Sequence, residues 1–306
     1  MEAYRVFHVK SVLRRTLRRW IAVPSVSVRS YLRRSSQDLL CYFSGMPTGL
    51  VPPNRLLFDG SESREQYRQD GAEFRTYLVE LVGLRPTDSV LDVGCGIGRK
   101  ASALTTYLGP EGRYEGFDIV PLGIRWCTAQ IHSRHPQFGF QHADVFNSLY
   151  NPCGNLRASD YRFPYPDESF DVAVAISVFT HMLPCDVDHY VGEISRVLKT
   201  GGRGLMSWLL MTEDAAAGIR AGKSSLRFAH RMNGCWAEAV HTPEGAVSYD
   251  ERDVMTLLER QGLEPVAPIR YGSWCGRERF LSIQDIVVAR KRGRESGASA
   301  TKEKKS

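Results

Sequence analysis

The residues with the most direct chemical meaning form one short motif, LDVGCGIG at residues 91–98, in which an acid is followed by three alternate glycines. The apolar, β-branched run at residues 89–93 predicts a buried parallel strand, and residues 99–108 predict the helix that follows it. Glycine suits such a turn because a backbone without Cβ lets a ligand lie against the chain and lets the helix begin at once. The motif therefore predicts a binding site for a nucleotide-like cofactor.

The spacing of these glycines disfavours NAD and FAD. A dinucleotide fingerprint needs a small residue at the position that Arg99 occupies, and the third glycine, Gly98, comes one residue too early. The pattern resembles motif I of the class I S-adenosyl-L-methionine (SAM) methyltransferases, and the resemblance extends over roughly residues 87–290. Within that family the local match is to bacterial enzymes of the small-molecule and glycan type. The resemblance implies an enzyme that uses SAM as its cofactor.

The resemblance also assigns the residues that contact the cofactor. Asp118 lies 20 residues beyond the last glycine, where the family places a carboxylate that accepts both ribose hydroxyls. Asp144 and Val145 match the position that contacts the adenine amine, and Ser177 opens the loop that faces the transferable methyl. The N–H groups after the second and third glycines are expected to bind the methionine carboxylate. The residues implied for cofactor binding are Asp92, Gly94, Gly96, Gly98, Asp118, Ile119, Asp144, Val145 and Ser177.

Strand and helix patterns alternate along the chain, which is typical of an α/β fold. Five short apolar strands are predicted before residue 210, and two more over residues 264–271 and 282–290. Residues 198–202, which include Gly201 and Gly202, are expected to end the helix before the fifth strand. The family resemblance implies a Rossmann-like three-layer α/β/α sandwich with a seven-stranded, mostly parallel sheet whose last strand is antiparallel. Residues 211–249 interrupt the alternation. Because insertions of this length are usually lids or binding loops, we expect a lid-like insertion here.

Three further segments surround the predicted methyltransferase domain of residues 87–290. Residues 1–37 form a basic extension whose apolar residues share one helical face. This amphipathic helix is compatible with peripheral membrane contact through residues 1–21, with an organelle transit peptide, or with packing on the domain or a partner protein. Residues 38–86 predict a loop-rich cap near the cofactor turn, followed by a packing helix. Residues 291–306 predict a disordered basic tail.

Charge and composition limit the partners. The formal net charge is +6, but residues 1–37 carry nine basic and one acidic side chain and residues 290–306 carry seven and two, which leaves −7 for the rest. An acidic catalytic domain disfavours nucleic acid, whose phosphates need a basic face. Seven cysteines without a C-x-x-C pair indicate reduced thiols. With no apolar run of the roughly 18 to 20 residues that span a membrane, the prediction is a cytoplasmic protein, with peripheral membrane contact as the alternative.

Methyl transfer from a sulfonium is an in-line displacement, which needs alignment in a water-poor pocket more than it needs catalytic side chains. A hydroxyl or phenol acceptor would be helped by a base. His181 is the candidate because it follows the predicted fourth strand, and its ordinary pKa of about 6.5 suits proton removal near neutrality. It could instead cap the next helix or line the pocket. A metal site built from His181, Cys185 and His189 is not predicted, because Pro184 interrupts the helix that would carry them.

The acceptor is less defined than the cofactor. Amino-methylating enzymes of this superfamily carry an Asn/Asp-Pro-Pro-aromatic tetrapeptide after the fourth strand, whereas this chain has SVFT at residues 177–180. We therefore expect an oxygen or carbon acceptor on a small molecule, sugar or lipid, with oxygen preferred. Two alternatives stay open, a macromolecular methyltransferase acting on protein or RNA and a non-catalytic SAM-binding interaction protein. The long connection at residues 147–165 holds aromatic residues that line a pocket or only anchor a loop, namely Tyr150, Tyr161, Phe163 and Tyr165.

Overall fold

The computed structural model describes residues 33–38, which are helical, and residues 49–293. The predictions for residues 1–32, 39–48 and 294–306, which include most of the amphipathic extension and the basic tail, fall outside this part of the chain. Within the described residues, no helix combines the length and the apolar character needed to cross a membrane.

A seven-stranded sheet forms the centre of the fold. The strands, numbered along the chain, are β1 (Ser89–Val93), β2 (Arg113–Asp118), β3 (Phe138–His142), β4 (Phe170–Ala175), β5 (Leu198–Trp208), β6 (Leu210–Met211), β7 (His230–Met232), β8 (Cys235–Ala237), β9 (Val247–Asp250), β10 (Leu263–Arg270) and β11 (Asp285–Lys291). The large sheet has the order β10-β11-β5-β4-β1-β2-β3. β1 pairs in parallel with β2 and β4, whereas β11 runs antiparallel between β5 and β10. The predicted α/β fold with an antiparallel last strand is confirmed.

Helices cover both faces of this sheet and produce the three layers. They are α1 (Arg64–Glu80), α2 (Arg99–Leu104), α3 (Pro121–Cys127), α4 (Pro184–Val197), α5 (Glu213–Arg220) and α6 (Glu251–Arg260). Side chains of α1 and α2 pack on one face, in a core with Tyr114 and Phe138, and side chains of α4 and α6 pack on the other, with Phe117 and Trp208. Strands covered on both faces are mainly apolar, and β1 and β4 are almost fully buried and carry Asp92 and Asp171 as their only charged residues.

One boundary differs from the sequence prediction in a way that concerns the glycines at residues 201 and 202. These residues were expected to end a helix, but α4 ends at Val197 and β5 begins at Leu198. The pairing of β4 with β5 shifts its register between Phe170 and Val172. Gly201 takes up this irregularity with a left-handed φ of 76°, a conformation that costs glycine little.

The insertion predicted at residues 211–249 is a folded unit. It contributes α5 and the hairpin of β7 and β8, and its strands join a four-stranded sheet of order β6-β9-β8-β7. An apolar cluster of its own, which includes Ala215, Phe228 and Trp274, packs this unit against the loop before β11. The insertion is therefore held in place on the domain beside the ends of β5 and β11.

Asp285, the first residue of β11, joins this unit to the large sheet. Its carboxylate is fully buried and accepts hydrogen bonds from the backbone N–H groups of Leu210 and Gly272, each at 2.7 Å, and from Trp274 Nε1 at 2.7 Å. Arg277 adds an ion pair at 3.2 Å. Burial raises the pKa of Asp285, and these donors oppose that shift.

We predict that Asp285→Ala lowers the free energy of unfolding by about 3–5 kcal/mol, because it leaves a partly buried guanidinium and several buried N–H groups without this acceptor. Glu278→Ala, in the same loop but exposed, is the matched control and should change stability by less than about 0.5 kcal/mol. Urea denaturation of both variants measures the difference. Equal stabilities of the two variants would contradict the role given to Asp285.

Candidate functional site

The glycine motif forms a tight turn between β1 and α2. Gly94, Gly96 and Gly98 have left-handed φ angles of 70°, 61° and 80°, which side chains with a Cβ rarely adopt. Close packing adds a second requirement. A Cβ on Gly94 would lie 2.6 Å from Val178 Cγ2, and one on Gly98 would lie 2.7 Å from Cys127 Sγ. Gly94 thus allows the loop after β4 to pack against the turn, and Gly98 allows α3 to do so.

Asp118 at the end of β2 faces the same turn. Its side chain is buried, its Oδ2 accepts the N–H of Gly96 at 2.8 Å, and its Oδ1 accepts the N–H of Val120 at 2.8 Å. Burial raises the pKa of Asp118 to about 6, and the two backbone hydrogen bonds oppose this shift. Each oxygen keeps a second lone pair, so the carboxylate is oriented and still able to accept two hydroxyl groups.

A cavity of about 290 Å³ opens at the carboxyl ends of the parallel strands, close to the lower end of the roughly 300–1,000 Å³ of small-molecule sites. Ser177, which follows β4 at its rim, is held at a φ of 56°. Such a left-handed non-glycine residue is often found at functional sites. The predicted residues that line the cavity are Gly94, Gly96, Asp118, Ile119, Val145, Ser177 and His181.

Three residues assigned to the cofactor from the sequence lie beside the cavity rather than in its lining. Gly98 packs under α3, as described above. Asp144 Oδ2 accepts a hydrogen bond from Asn155 Nδ2 at 2.5 Å. Asp92 is buried, accepts the Tyr114 hydroxyl and lies 3.3 Å from Lys100 Nζ. The acid of the motif is therefore paired within the protein.

Lys100 is a cavity residue that the sequence reasoning missed. It is the second residue of α2, is only 5% exposed and lines the cavity. Its ammonium pairs with Asp92. The cavity wall therefore carries a cation beside the position where the sequence analysis expected only the acid of the motif. The sequence feature that could have indicated Lys100 was its position two residues after Gly98, on a predicted helix whose neighbouring residues were expected to be buried.

The cap predicted for residues 38–86 supplies a further wall. Phe58, Asp59 and Gly60 line the cavity. Arg99, whose role the sequence left open, ties this wall to α1 and α2 through ion pairs with Asp70 at 2.7 Å and Asp59 at 3.5 Å. Asp59 Oδ1 is buried and has no hydrogen-bond partner among the described residues. It is a free acceptor beside Gly96, where a ligand with a donor would satisfy it.

His181 lies in the 3₁₀ turn after β4 and lines the cavity. Its Nδ1 is 2.9 Å from the carbonyl oxygen of Glu244. A carbonyl only accepts, so Nδ1 carries the proton and Nε2 the lone pair in the neutral ring. Burial lowers the pKa of His181, although contacts with Glu244 and Gly245 oppose the shift. A neutral imidazole whose Nε2 carries the lone pair has the form of a general base.

The aromatic residues of the connection after β3 divide between the two roles left open by the sequence. Tyr150 lines the cavity and meets the His181 ring edge to face at 5.3 Å between centroids. Tyr161 and Phe163 pack on Phe117 with centroids 5.5 and 4.7 Å away. Tyr165 packs on Phe170 instead. Tyr150 is thus a site residue, and the other three anchor the loop.

These features fit an adenosyl amino acid such as SAM. A buried carboxylate would accept the ribose hydroxyls, and the glycine turn would let the ligand lie against the backbone. The ammonium of Lys100 and the free oxygen of Asp59 have the charges that an amino-acid carboxylate and ammonium need. The apolar wall at Ile119 and Val145 suits the adenine ring.

Comparison with known proteins agrees with the geometry. Residues 91–206 match the methyltransferase domain family. Sterol 4-C-methyltransferase strm-1 of Caenorhabditis elegans is 25% identical over 234 residues, covering 76% of this chain and 62% of that protein. The 27-O-demethylrifamycin SV methyltransferase of Amycolatopsis mediterranei is 28% identical over 217 residues, covering 69% of each chain.

The similarity in structure extends further along the chain than the family match. A crystal structure from Pyrococcus horikoshii has a TM-score of 0.53 at 18% identity, covering 82% of this chain and 98% of that one, which shows the shared fold. The chain spans between 34% and 62% of the length of the sterol methyltransferases that it matches. The resemblance to class I SAM-dependent methyltransferases that the sequence indicated is confirmed over residues 91–206.

We predict that S-adenosylhomocysteine (SAH) binds about tenfold more weakly at pH 5 than at pH 7. With the pKa of Asp118 at about 6, the carboxylate that we expect to accept the ribose hydroxyls changes from mostly ionised at pH 7 to mostly protonated at pH 5. The stability of the fold depends on pH in the opposite sense to the affinity. The contribution of Asp118 to the free energy of unfolding is greatest below its ordinary pKa of 3.8 and is lost as the pH rises through about 6. Calorimetry across pH tests the affinity. Asp118→Asn should remove the pH dependence, and a dependence that survives in this variant would exclude Asp118 as its source.

We predict that Lys100→Met weakens SAH binding more than about tenfold, because it would remove the cation that we expect to bind the ligand carboxylate. Binding of 5′-methylthioadenosine, which lacks the amino-acid part, should change less than threefold. Lys100→Met combined with Asp92→Asn is the control that leaves no unpaired buried acid. Equal losses for both ligands, measured by calorimetry, would show that Lys100 only supports the fold.

Proposed function

We propose that this chain, whose residues 91–206 form a methyltransferase domain of the class I SAM-dependent family, is an enzyme that methylates a small-molecule or lipid acceptor, at oxygen in preference to carbon. The observation that carries the proposal is the convergence on one cavity of the glycine turn, the Asp118 carboxylate and the neutral His181. A binding protein would need the first two of these features. The third adds the means to take up a proton beside the cofactor.

We call the part of the cavity lined by Asp118, Lys100 and Asp59 the cofactor half. Its residues would fix the position of the reacting methyl group. SAM, when bound, supplies a methyl group on a sulfonium, which an acceptor displaces in line with the departing thioether. Asp118 would hold the ribose, and Lys100 with Asp59 would hold the amino-acid part. Holding both ends of one ligand restricts the position of the atom between them, which is the main contribution a protein can make to such a displacement.

We call the part of the cavity lined by His181, Tyr150, Met182 and Phe146 the acceptor half. Its residues favour a hydroxyl group as the methyl acceptor. An oxygen nucleophile must lose its proton as the new bond forms, and the Nε2 of neutral His181 would receive it. A carbon acceptor is the alternative, since the relatives include enzymes named for methylation at carbon and at oxygen. The base beside the cavity is the reason for preferring oxygen.

The walls of the acceptor half favour an apolar molecule. Tyr150, Met182 and Phe146 line this half, and Phe146 is 46% exposed at its mouth. An exposed aromatic ring continuous with an apolar cavity provides contact area for the body of an acceptor larger than the cavity. The names of the relatives, a sterol and a rifamycin methyltransferase, describe acceptors of this kind.

The proposal predicts that the purified chain binds SAM and SAH with micromolar dissociation constants. Asp118→Ala should weaken both by more than about tenfold, because the buried ribose hydroxyls would lose a charged acceptor. Calorimetry provides the measurement, and Asp160→Ala, an exposed acid outside the cavity, is the control that should bind as the unaltered chain does. A folded chain that binds neither ligand would refute the proposed function.

A further inference from the structure

The insertion reaches the cavity through the short 3₁₀ turn Pro243–Gly245. Glu244 of this turn lines the cavity. It contacts two other segments of the cavity wall, although these are 96 and 63 residues away along the chain. One is Ser148, in the connection after β3, and the other is His181, after β4. One residue of the insertion thus joins the two segments that frame the acceptor half.

The side chain of Glu244 anchors the turn. Its Oε2 accepts the backbone N–H of Ser148 at 2.8 Å and also the Ser148 hydroxyl. Ser148 is exposed, so water competes for both contacts. A hydrogen bond to a charged acceptor at the surface is strong enough to hold a turn and weak enough to open and reform. We call this contact between the Glu244 carboxylate and Ser148 the latch, because it holds the turn in place and is able to open.

The main chain of the same residue acts on His181. The carbonyl oxygen of Glu244 accepts the proton on Nδ1 at 2.9 Å, and this hydrogen bond decides which ring nitrogen is free. The backbone of His181 is held separately, because Asn147 Nδ2 donates to its carbonyl at 3.2 Å. Moving the turn would release the ring while leaving the backbone of His181 in place.

We propose that Glu244 is a positioning residue, whose carboxylate latches the insertion onto Ser148 and whose carbonyl thereby holds His181 with Nε2 free for the acceptor. The position of the Pro243–Gly245 turn and the orientation of the His181 ring are therefore coupled. While the turn is anchored, the ring is held in the tautomer that can act as a base. The inference rests on the proposed function only in giving His181 the role of base.

The surroundings of His181 set the direction of its titration. The titratable groups that line the cavity together with His181 are Asp59, Cys95, Arg99, Lys100, Asp118, Tyr150, Asp186, Tyr190 and Glu244. Burial is the main cause that lowers the pKa of His181. Opening the turn would admit water to the ring, so the pKa should rise towards the ordinary value of 6.5. Loss of the backbone hydrogen bonds to Glu244 and Gly245 and of the nearby Glu244 charge acts in the opposite sense, and each is a smaller cause than burial.

The test uses the full chain labelled with ¹⁵N-histidine, because nitrogen chemical shifts report both the tautomer and the pKa of each ring. The sequence has eight histidines, and His181→Gln identifies the signal of interest. Glu244→Ala removes the latch, Ser148→Ala removes only its hydroxyl, and Glu244→Gln keeps an acceptor oxygen. Glu238→Ala is the matched control, since Glu238 is an exposed glutamate of the same insertion.

We expect His181 of the unaltered chain to carry its proton on Nδ1, with a pKa below 6.5. Glu244→Ala should give a mixture of tautomers and a higher pKa, Ser148→Ala a smaller change in the same direction, and Glu244→Gln and Glu238→Ala the spectrum of the unaltered chain. A folded Glu244→Ala chain with an unchanged His181 signal would overturn the inference. If that variant does not fold, an unchanged signal in Ser148→Ala overturns it. Failure of the unaltered chain to bind SAH would refute the proposed function and leave this result standing.

Discussion

The carboxylate of Asp118 has to be buried and yet serve as a charged acceptor, and the rest of the site is arranged around that requirement. Backbone N–H groups of Gly96 and Val120 hold its two oxygens. For these donors to reach it, the turn after β1 must bend back over the end of β2. That bend needs left-handed residues, and the close approach of Val178 and Cys127 admits no Cβ at Gly94 or Gly98. The contacts of Asp118 with the turn thus account for the glycines at positions 94, 96 and 98.

The acceptor half depends on segments far apart in sequence. Tyr150, His181 and Glu244 belong to the connection after β3, the turn after β4 and the insertion, and they meet only because the sheet brings its carboxyl ends to one edge. Asp285 fastens the insertion to that edge. Stability and function are therefore coupled, since the network that fixes the small sheet also places the turn that contacts His181.

Local patterns predicted the strands and the glycine turn, because these depend on residues near in sequence. The family resemblance indicated Asp118 and Ser177, both of which line the cavity. Lys100 and Asp59 were missed for a different reason, namely that their roles depend on which charges face each other across the cavity. Asp92 was assigned to the cofactor, but its pairing with Lys100 is a tertiary contact. The turn around Glu244 carries no motif, and its place follows from the packing of the whole insertion. Gly201 and Gly202 were placed at a helix end because strand register is invisible in a single sequence.

The central claim is that Asp118 holds the ribose of an adenosyl ligand whose sulfur faces the part of the cavity lined by His181. A crystal structure of the chain with SAH bound tests it most directly. Both ribose hydroxyls should lie within hydrogen-bond distance of the Asp118 carboxylate, with the thioether sulfur turned towards the half of the cavity that His181 lines. SAH bound elsewhere on the molecule, or with its ribose away from Asp118, would contradict the claim.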